Sequence, residues 1–400
     1  MRTTYVGLLI LILSLALPPL IFAQTESDER SLVQVDEGLS LKKDSLFTLN
    51  LRFRMQNRFG FRTESGEDLS IEQTDLRIRR LRVRLDGFAF NPRIQYYIQL
   101  GFSNSDMNLD GGEVAQPIRD AIIYYHVNPH FYFGFGQAKL PGNRERVISS
   151  GNLQFADRSL ANSLFTLDRD FGFFAYYTLP NQNKAIYRLK AAVSSGEGRN
   201  PIPGDRGLAY TGRIEYLPFG KFANGGDYSE GDLERESKPK LSLGLSYSYN
   251  EGGARARGQL GPELFQKRDQ RLVIADAIGK YAGWSILVEY FSRTSPLPIT
   301  ENVQGEKRAV WVGRGQNFQV SKLVSAKTEL AFRYSQVVPE KEIQWLESQR
   351  DEATLGMTKY LKGHRLKFQG NLGYAWNTSP LFSSTTTSHW FGLFQVEFGI

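Results

Sequence analysis

Hydrophobic and polar side chains alternate with a period of two along most of the chain. Between residues 47 and 56 the odd-numbered positions are apolar and the even-numbered positions are polar. The same alternation returns in residues 94–103, 240–249 and 365–376. Because successive side chains of a β-strand point to opposite faces, each segment has one face suited to an apolar medium and one suited to water.

The alternation predicts 16 strands in this sequence. They start near residues 46, 74, 93, 117, 130, 168, 185, 208, 238, 270, 284, 306, 325, 350, 364 and 387. Many run for about 10 residues or more, whereas strands of globular proteins commonly have about 5 or 6. A tilted strand of about 9–11 residues spans a bilayer, and its backbone is satisfied in lipid only if the sheet closes on itself. The pattern therefore predicts an all-β fold, a 16-stranded antiparallel transmembrane β-barrel over residues 46–400.

Other architectures fit these strands less well. A propeller would show a sequence repeat of about 40–50 residues, and none is visible. A secreted sandwich would place every apolar face in one thin core, which so many long strands would overfill. A helical membrane bundle needs several apolar runs of about 20 residues, and the mean hydropathy of −0.37 excludes it.

The first 23 residues have the layout of a secretory signal peptide. Arg2 precedes an apolar stretch that ends at Ala23, just before a polar run. A single membrane anchor is the alternative, although a proline pair near the end of the stretch and the lack of a basic flank argue against it. We therefore expect a signal peptide at residues 1–23, a short polar lead at 24–45, and a place in the bacterial outer membrane.

The amino-acid composition shows an excess of positive charge. The 400 residues include 49 Lys and Arg against 42 Asp and Glu, a formal net charge of +7, and arginines outnumber lysines 32 to 17. Cysteine is absent, which excludes disulfides, zinc–thiolate sites and cysteine nucleophiles. The four histidines are scattered and show no metal-ligand spacing, so we expect no cofactor and no metal site.

The second predicted strand is rich in arginine. Its apolar residues change phase at Arg79-Arg80, where a β-bulge would let both side chains turn toward the lumen. Arginine on the lipid face costs roughly 2–4 kcal/mol near mid-bilayer, so the arrangement that hides the arginines is favoured. The other arginines expected to face the lumen on the first two strands are Arg52, Arg54, Arg82 and Arg84.

The connection 138–167 is unlike the others, because it alternates poorly and carries three arginines and a serine pair. A long segment of this kind in a compact fold is usually functional. In a barrel with room inside it can fold inward and narrow the lumen; an extracellular lid is the alternative. Guanidinium groups pair with carboxylate and phosphate oxygens through two parallel hydrogen bonds, and an electropositive constriction selects anions.

Seven short motifs follow one another along the chain: Arg79-Arg80, Asp120-Ala121, Gly136-Gln137-Ala138-Lys139, Glu145-Arg146-Val147-Ile148-Ser149-Ser150, Ala156-Asp157-Arg158-Ser159, Asp168-Arg169-Asp170-Phe171-Gly172 and Glu352-Ala353-Thr354-Leu355-Gly356. Taken in this order, they resemble the phosphate-selective porin O and P family. The resemblance extends from about residue 46 to the end of the chain.

The resemblance implies a homotrimer of 16-stranded barrels with an inward-folded third loop. It also implies an anion-binding constriction, whose residues by position are Arg79, Arg80, Arg146, Arg158, Ser149 and Asp120. In this interpretation Asp120 weakens binding by repelling the anion and by competing for the arginines. Lys139 is a further basic residue that we expect in the lumen.

The expected function is that of an outer-membrane porin through which small anions diffuse passively, with phosphate-like oxyanions such as phosphate or pyrophosphate preferred. A general-diffusion porin with little anion specificity is the alternative, and binding of lipopolysaccharide phosphates by exterior basic residues is a third possibility. The expected surroundings are outer-membrane lipid, without nucleic acid. We expect no enzyme. The enzyme alternative, an outer-membrane hydrolase, would need a nucleophile with a general base nearby, and neither a Gly-x-Ser-x-Gly motif nor a paired-carboxylate pattern is visible.

Overall fold

The structure is a computed structural model. It describes residues 32–36, 38–43, 45–107, 115–179, 185–201, 207–379 and 386–400. The predicted signal peptide, residues 1–23, lies outside the described residues.

A closed antiparallel barrel makes up most of the described chain. Its 16 strands are β1 (Phe47–Thr63), β2 (Ile71–Ala89), β3 (Asn91–Gly101), β4 (Ile118–His126), β5 (Phe131–Lys139), β6 (Arg169–Leu179), β7 (Ile186–Ser194), β8 (Ala209–Leu217), β9 (Lys240–Arg257), β10 (Leu260–Tyr281), β11 (Trp284–Thr294), β12 (Gly313–Leu323), β13 (Thr328–Pro339), β14 (Gln349–Lys362), β15 (Leu366–Thr378) and β16 (Thr386–Gly399). Each strand pairs with the next, and β16 pairs with β1 between Arg54 and Arg62, which closes the sheet. The predicted fold is confirmed.

The two faces of the barrel have the reverse polarity of a water-soluble protein. On β8, Ile214 is 51% exposed, while its neighbours Arg213 and Glu215 are 2% and 0% exposed. On β14, Leu355 is 62% exposed and Thr354 only 2%. An exposed apolar outer face and a buried polar inner face are what a lipid-embedded barrel requires.

Short elements decorate the barrel. They are the helices α1 (Asn104–Met107), α2 (Arg144–Val147) and α3 (Leu160–Phe165), the 3₁₀ turns Ala223–Tyr228 and Lys341–Ile343, and two hairpins, Leu32–Asp36 with Gly38–Lys43 and Ile299–Glu301 with Lys307–Ala309. The first hairpin pairs with the start of β1, so the predicted polar lead contains two strands that the alternation did not reveal. None of the helices in the described ranges is long and apolar enough to cross a membrane.

Most predicted strand starts lie within three residues of the observed ones, and two differ more. Strand β10 starts at Leu260 rather than near 270, because its first part pairs with β9 through several register shifts that break the alternation. Strand β12 starts at Gly313 rather than near 306, because Lys307–Ala309 pairs with Ile299–Glu301 in a separate hairpin. Local pairing overrides periodicity at both places.

The connections differ between the two ends of the barrel. Antiparallel strands alternate in direction, so connections after even-numbered strands lie at one end, and those after β2, β4, β10, β12 and β14 have only one to four residues. We call this the short-turn end. The opposite end carries longer connections such as 102–117, 140–168 and 295–312. In outer-membrane barrels the short turns face the periplasm.

Candidate functional site

Strand β2 carries the arginine-rich segment and contains a bulge. Arg80 pairs with Gln56 of β1, but Ile78 pairs with the very next residue of β1, so Arg79 is an extra residue in the ladder. Such a bulge redirects the side chains beside it. The guanidinium groups of Arg79 and Arg80 both reach the carboxylate of Asp157, at 3.2 and 3.4 Å. The predicted bulge is confirmed, and its two arginines lie side by side.

Asp157 belongs to the connection between β5 and β6, residues 140–168, which we call the long loop. Within it, Ser159 caps α3 by accepting a hydrogen bond from the backbone N–H of Asn162. Much of the loop is held by inner-face side chains instead of by a sheet. For example, the N–H of Ala161 donates to Ser335 Oγ of β13 at 3.0 Å.

One part of the long loop is fixed to strands β8, β9 and β10 by buried charges. Arg144 donates to Asp276 of β10 at 3.2 Å and to Ser242 of β9 at 2.8 Å. Arg213 of β8 donates to the Gly142 carbonyl at 2.8 Å and to Asp276 at 2.6 Å. These side chains are fully buried, and buried charges are tolerated only when they are paired in this way.

The middle of the long loop is fixed to strands on another side of the barrel. The Lys367 ammonium of β15 donates to the carbonyls of Gly151 and Leu153 at 2.8 and 2.6 Å. Thr358 of β14 donates to the Gln154 carbonyl at 2.7 Å. Beyond its flanking strands β5 and β6, the loop has hydrogen bonds or ion pairs with β1, β2, β8, β9, β10, β11, β13, β14 and β15.

Beside the long loop lies a cavity of about 730 Å³. Every residue predicted for the constriction or the lumen lines it: Arg52, Arg54, Arg79, Arg80, Arg82, Arg84, Asp120, Lys139, Arg146, Ser149 and Arg158. The predicted residues therefore converge in space, and their role in anion binding stays a prediction.

The cavity lining is strongly cationic. Among the described residues it comprises twelve arginines and two lysines, against four aspartate or glutamate side chains. A cleft lined by one sign of charge focuses the field and concentrates ions of the opposite sign.

Asp157 neutralises part of this charge. Besides Arg79 and Arg80, its carboxylate pairs with Arg58 at 2.6 Å. Burial alone would raise the pKa of Asp157, but attraction to Arg79, Arg58 and Arg80 outweighs burial and holds the pKa well below its usual range. The carboxylate is therefore ionised at neutral pH and balances part of the positive charge of these guanidinium groups.

The two loop arginines are crowded by like charges. Burial, followed by repulsion from Arg158 and Arg169, lowers the pKa of Arg146 well below its ordinary value. Burial lowers the pKa of Arg158 to about 10, against attraction by Glu145 and Glu230. Arg146 pairs with Asp168, yet its buried Nε–H has no hydrogen-bond partner among the described residues, and neither has that of Arg119. A bound oxyanion would satisfy such donors and relieve the repulsion.

Ser149 and Lys139 are already partly engaged. Arg54 donates to Ser150 Oγ at 2.8 Å and to Ser149 Oγ at 3.4 Å, so Ser150 is the better-bonded member of the serine pair. The Lys139 ammonium donates to the carbonyls of Arg146, Val147 and Ile148 at 3.0 to 3.3 Å. Lys139 therefore holds the long loop as well as adding charge to the cavity.

Asp120 lies in the cavity and is paired with Arg169. Both of its oxygens accept hydrogen bonds from Arg169 at 2.9 Å, and it forms no ion pair with Arg79, Arg80, Arg146 or Arg158 in the described residues. The carboxylates that do occupy these arginines are Asp157 and Asp168.

Several charged residues of the cavity were not predicted from the sequence, among them Arg119, Asp106 and Arg169. Arg119 and Arg82 share the carboxylate of Asp106, with bonds of 2.9 and 2.6 Å, and Arg169 holds Asp120. Arg169 stands in the motif Asp168-Arg169-Asp170, so the motif itself contained a usable signal. Asp106 lies in the four-residue α1, where no periodicity points to it.

The cavity is rich in cationic and hydroxyl hydrogen-bond donors. In the part of the chain that the structure describes, no group of three His, Asp or Glu side chains could hold a metal ion. The cavity instead offers guanidinium and hydroxyl donors, which suit phosphate and carboxylate oxygens.

Comparison with known proteins gives one family and several barrels. The model of the family described as phosphate-selective porin O and P matches residues 49–253. No curated protein is significantly similar in sequence.

Solved outer-membrane structures share the fold. The anion-selective porin from Comamonas acidovorans is 12% identical, covers 88% of this chain and 100% of its own, and superimposes with a TM-score of 0.53. The outer membrane channel DcaP of Acinetobacter baumannii is 11% identical, covers 90% of this chain and 99% of its own, and superimposes with a TM-score of 0.55. OmpT of Vibrio cholerae is 12% identical, covers 90% of this chain and 100% of its own, and superimposes with a TM-score of 0.52. At such low identities the likeness shows the barrel fold alone.

Proposed function

The chain belongs to the phosphate-selective porin O and P family and is an outer-membrane porin, and from this premise we propose that small anions diffuse through it passively, with phosphate-like oxyanions preferred. The family and the barrel fold indicate a channel protein rather than an enzyme. The observation that carries the proposal is the excess of guanidinium groups in the cavity beside the long loop. One structural neighbour is described as an anion-selective porin.

We infer that the long loop folds into the lumen and narrows it. The support is its set of bonds, which run to the inner faces of β1 and β2 and also to those of β8–β11 and β13–β15. A loop lying outside the barrel as a lid would not bond to inner-face residues of so many strands. The arginine cavity then lies at the narrowest part of the pore.

The proposed constriction consists of Arg79, Arg80, Arg146 and Arg158, with Ser149 as a neutral donor. An entering oxyanion loses part of its hydration shell and gains charge-assisted hydrogen bonds from these groups. Throughput requires that the anion also leaves, so binding has to be weak. Asp157 and Asp168 supply that weakening, because they occupy the same guanidinium groups while the pore is empty.

The remaining basic residues act at longer range. Arg52, Arg54, Arg82, Arg84 and Lys139 line the same cavity, so they raise the local anion concentration. Arg84 also lies over the ring of Tyr97, with 4.7 Å between the guanidinium carbon and the ring centroid, which fixes its position.

We further propose that the protein is a homotrimer in outer-membrane lipid. A Vibrio cholerae OmpT structure, 13% identical, is described as a trimer form. On the outer face of β5 and β6, Phe135 packs against Phe171 and Phe173 with ring centroids 5.2 and 4.5 Å apart, and all three side chains are exposed. A continuous aromatic surface of this kind suits contact with another copy of the chain.

Substitution of the bulge arginines tests the proposed function. In planar bilayers, phosphate should reduce chloride conductance through the wild-type channel as it occupies the constriction. For Arg79→Ala with Arg80→Ala, the half-blocking phosphate concentration should rise by about tenfold or more, because each lost bond to a charged group contributes about 1.5–3 kcal/mol. Arg77→Ala is the matched control, because Arg77 is exposed on the same strand and pairs with Asp75.

Two outcomes would contradict parts of this proposal. If phosphate does not block the wild-type channel while anions still pass, the protein is a general-diffusion porin with an anionic preference only. If the double variant behaves like Arg77→Ala, the constriction lies elsewhere in the barrel.

A further inference from the structure

One connection at the short-turn end is far longer than the one- to four-residue turns after β2, β4, β10, β12 and β14. It joins β8 to β9 and comprises residues 218–239. Its base is fixed at that end, because the N–H of Gly283 donates to Asp232 at 2.7 Å and the N–H of Ala282 donates to the Glu236 carbonyl at 2.9 Å. Ala282 and Gly283 form the turn between β10 and β11.

The tip of this connection meets the long loop. The N–H of Glu230 donates to the Asn152 carbonyl at 2.9 Å, and the N–H of Gln154 donates to Glu230 Oε2 at 2.8 Å. The long loop follows β5 and so starts from the opposite end of the barrel. Two connections that start from opposite ends can bond to each other only between the ends, so this contact lies inside the barrel. Glu230 is 2% exposed, in agreement with that position.

The same tip is bonded to the inner face of β7 and β8. The Tyr228 hydroxyl donates to Glu215 of β8 at 2.6 Å, and the Lys190 ammonium of β7 donates to the Tyr228 oxygen. Arg188 of β7 pairs with Asp227. Lys190 also lines the arginine cavity, so the connection borders the proposed anion path directly.

We propose that residues 218–239 form a second inward-folded segment, which supports the long loop from the short-turn end and thereby sets the width of the pore beside the arginine cavity. Glu230 is the positioning residue: its backbone and carboxylate bond to Asn152 and Gln154, which lie between the serine pair and Asp157 in the chain. The proposal rests on the proposed function, in that it assumes conduction past the long loop. Without this support, residues 149–158 would fluctuate and the pore beside them would widen.

Glu230→Ala removes the carboxylate that holds the Gln154 N–H, and Glu234→Ala is the matched control. Glu234 has the same side chain in the same connection, but it is exposed and bonds only to Asn224 within the described residues. In planar bilayers we expect Glu230→Ala to raise single-channel conductance by about twofold and to increase open-channel current noise. Glu234→Ala should match the wild type in both.

Two further measurements make the test decisive. Tyr228→Phe keeps the ring but loses the hydroxyl that bonds to Glu215. We expect its single-channel conductance to rise less than that of Glu230→Ala. Heat-dependent mobility on gels should show that the barrel of this variant is folded. If correctly folded Glu230→Ala and Tyr228→Phe channels have the conductance and noise of Glu234→Ala, the inference is overturned. The reversal potential separates this failure from that of the proposed function, because the arginines are intact in all three variants and anion selectivity should persist.

Discussion

In the proposed mechanism, single carboxylates limit how firmly the arginine cavity holds an anion. Asp157 pairs with Arg58, Arg79 and Arg80, and Asp168 pairs with Arg146. Carboxylates of the protein itself therefore already occupy the guanidinium groups at which we propose that the permeant anion binds. In this proposal, an entering anion exchanges with these carboxylates rather than meeting unpaired guanidinium groups. This exchange lowers the net gain from binding and favours rapid passage.

Glu230 predicts a pH dependence of the pore. Burial raises its pKa to about 7, and repulsion from Glu145 adds to the rise, against the hydrogen bond from Gln154. The ionisable groups near it are Glu145, Arg158, Arg333, Lys280, Tyr360, His364 and Lys367. An unfolded glutamate has a pKa of about 4.3, so between about pH 4.3 and 7 the folded state holds the proton more tightly, and its stability falls as pH rises through this window.

We therefore expect open-channel noise to be greater at about pH 8 than at about pH 5, because the ionised Glu230 is repelled by Glu145. Glu230→Gln keeps the shape but cannot ionise, so this variant should lose that part of the pH dependence. Equal pH dependence of the two channels would show that other groups cause it.

The residues of the site could be predicted where the regular alternation of a strand is interrupted. The phase change at Arg79-Arg80 is visible in the sequence, and the bulge that it predicts is present. Arg119 and Asp106 were not predictable, because their pairing joins β4 to a short helix in an irregular connection. The partner of Asp120 was likewise hidden, since it depends on how Arg169 of β6 reaches across the inner face.

At the scale of elements, the bulge in β2 joins two parts of the strand that pair with β1 in different registers. Between Arg80 and Ala89 the strand pairs with β1 in one register, and from Ile78 back to Gln73 it pairs one residue out of step. Deletion of Arg79 would remove the extra residue and turn one part of the strand over, because a slip of one residue exchanges the two faces.

We expect the Arg79 deletion to destabilise the barrel, because it would place arginines against lipid or leucines in the lumen, at roughly 2–4 kcal/mol for each arginine near mid-bilayer. The measurement is urea unfolding of the refolded protein in lipid vesicles, followed by tryptophan fluorescence. Arg79→Ala, which keeps the residue count, is the control and should unfold close to the wild type. A deletion variant as stable as this control would argue against the role of the bulge.

The sequence marks the long loop as unusual but leaves its path open. Poor alternation and a cluster of arginines single out residues 138–167 as irregular, which is compatible with either an inward loop or a lid. Its anchors, such as Ser335 and Lys367, are distant in the chain and become neighbours only when the barrel closes. The length of residues 218–239 is equally visible in the sequence, but the bond between Glu230 and the long loop depends on the same closure.

At the scale of the whole molecule, the requirements of the membrane make the fold predictable from the sequence. Lipid allows few ways to satisfy a strand's backbone, so alternation together with strand length is enough to predict a closed barrel. The interior is not constrained in this way, because many arrangements of charged side chains can fill a polar lumen. The fold was therefore predictable almost in full, whereas the charge pairing of the site was predictable only in part.

The most direct test of the central claim is the reversal potential of the purified wild-type protein in a planar bilayer under a potassium chloride gradient. We predict a potential with the sign of chloride selectivity, because guanidinium groups outnumber carboxylates in the cavity. A potential of zero, or one with the sign of potassium selectivity, would contradict the account.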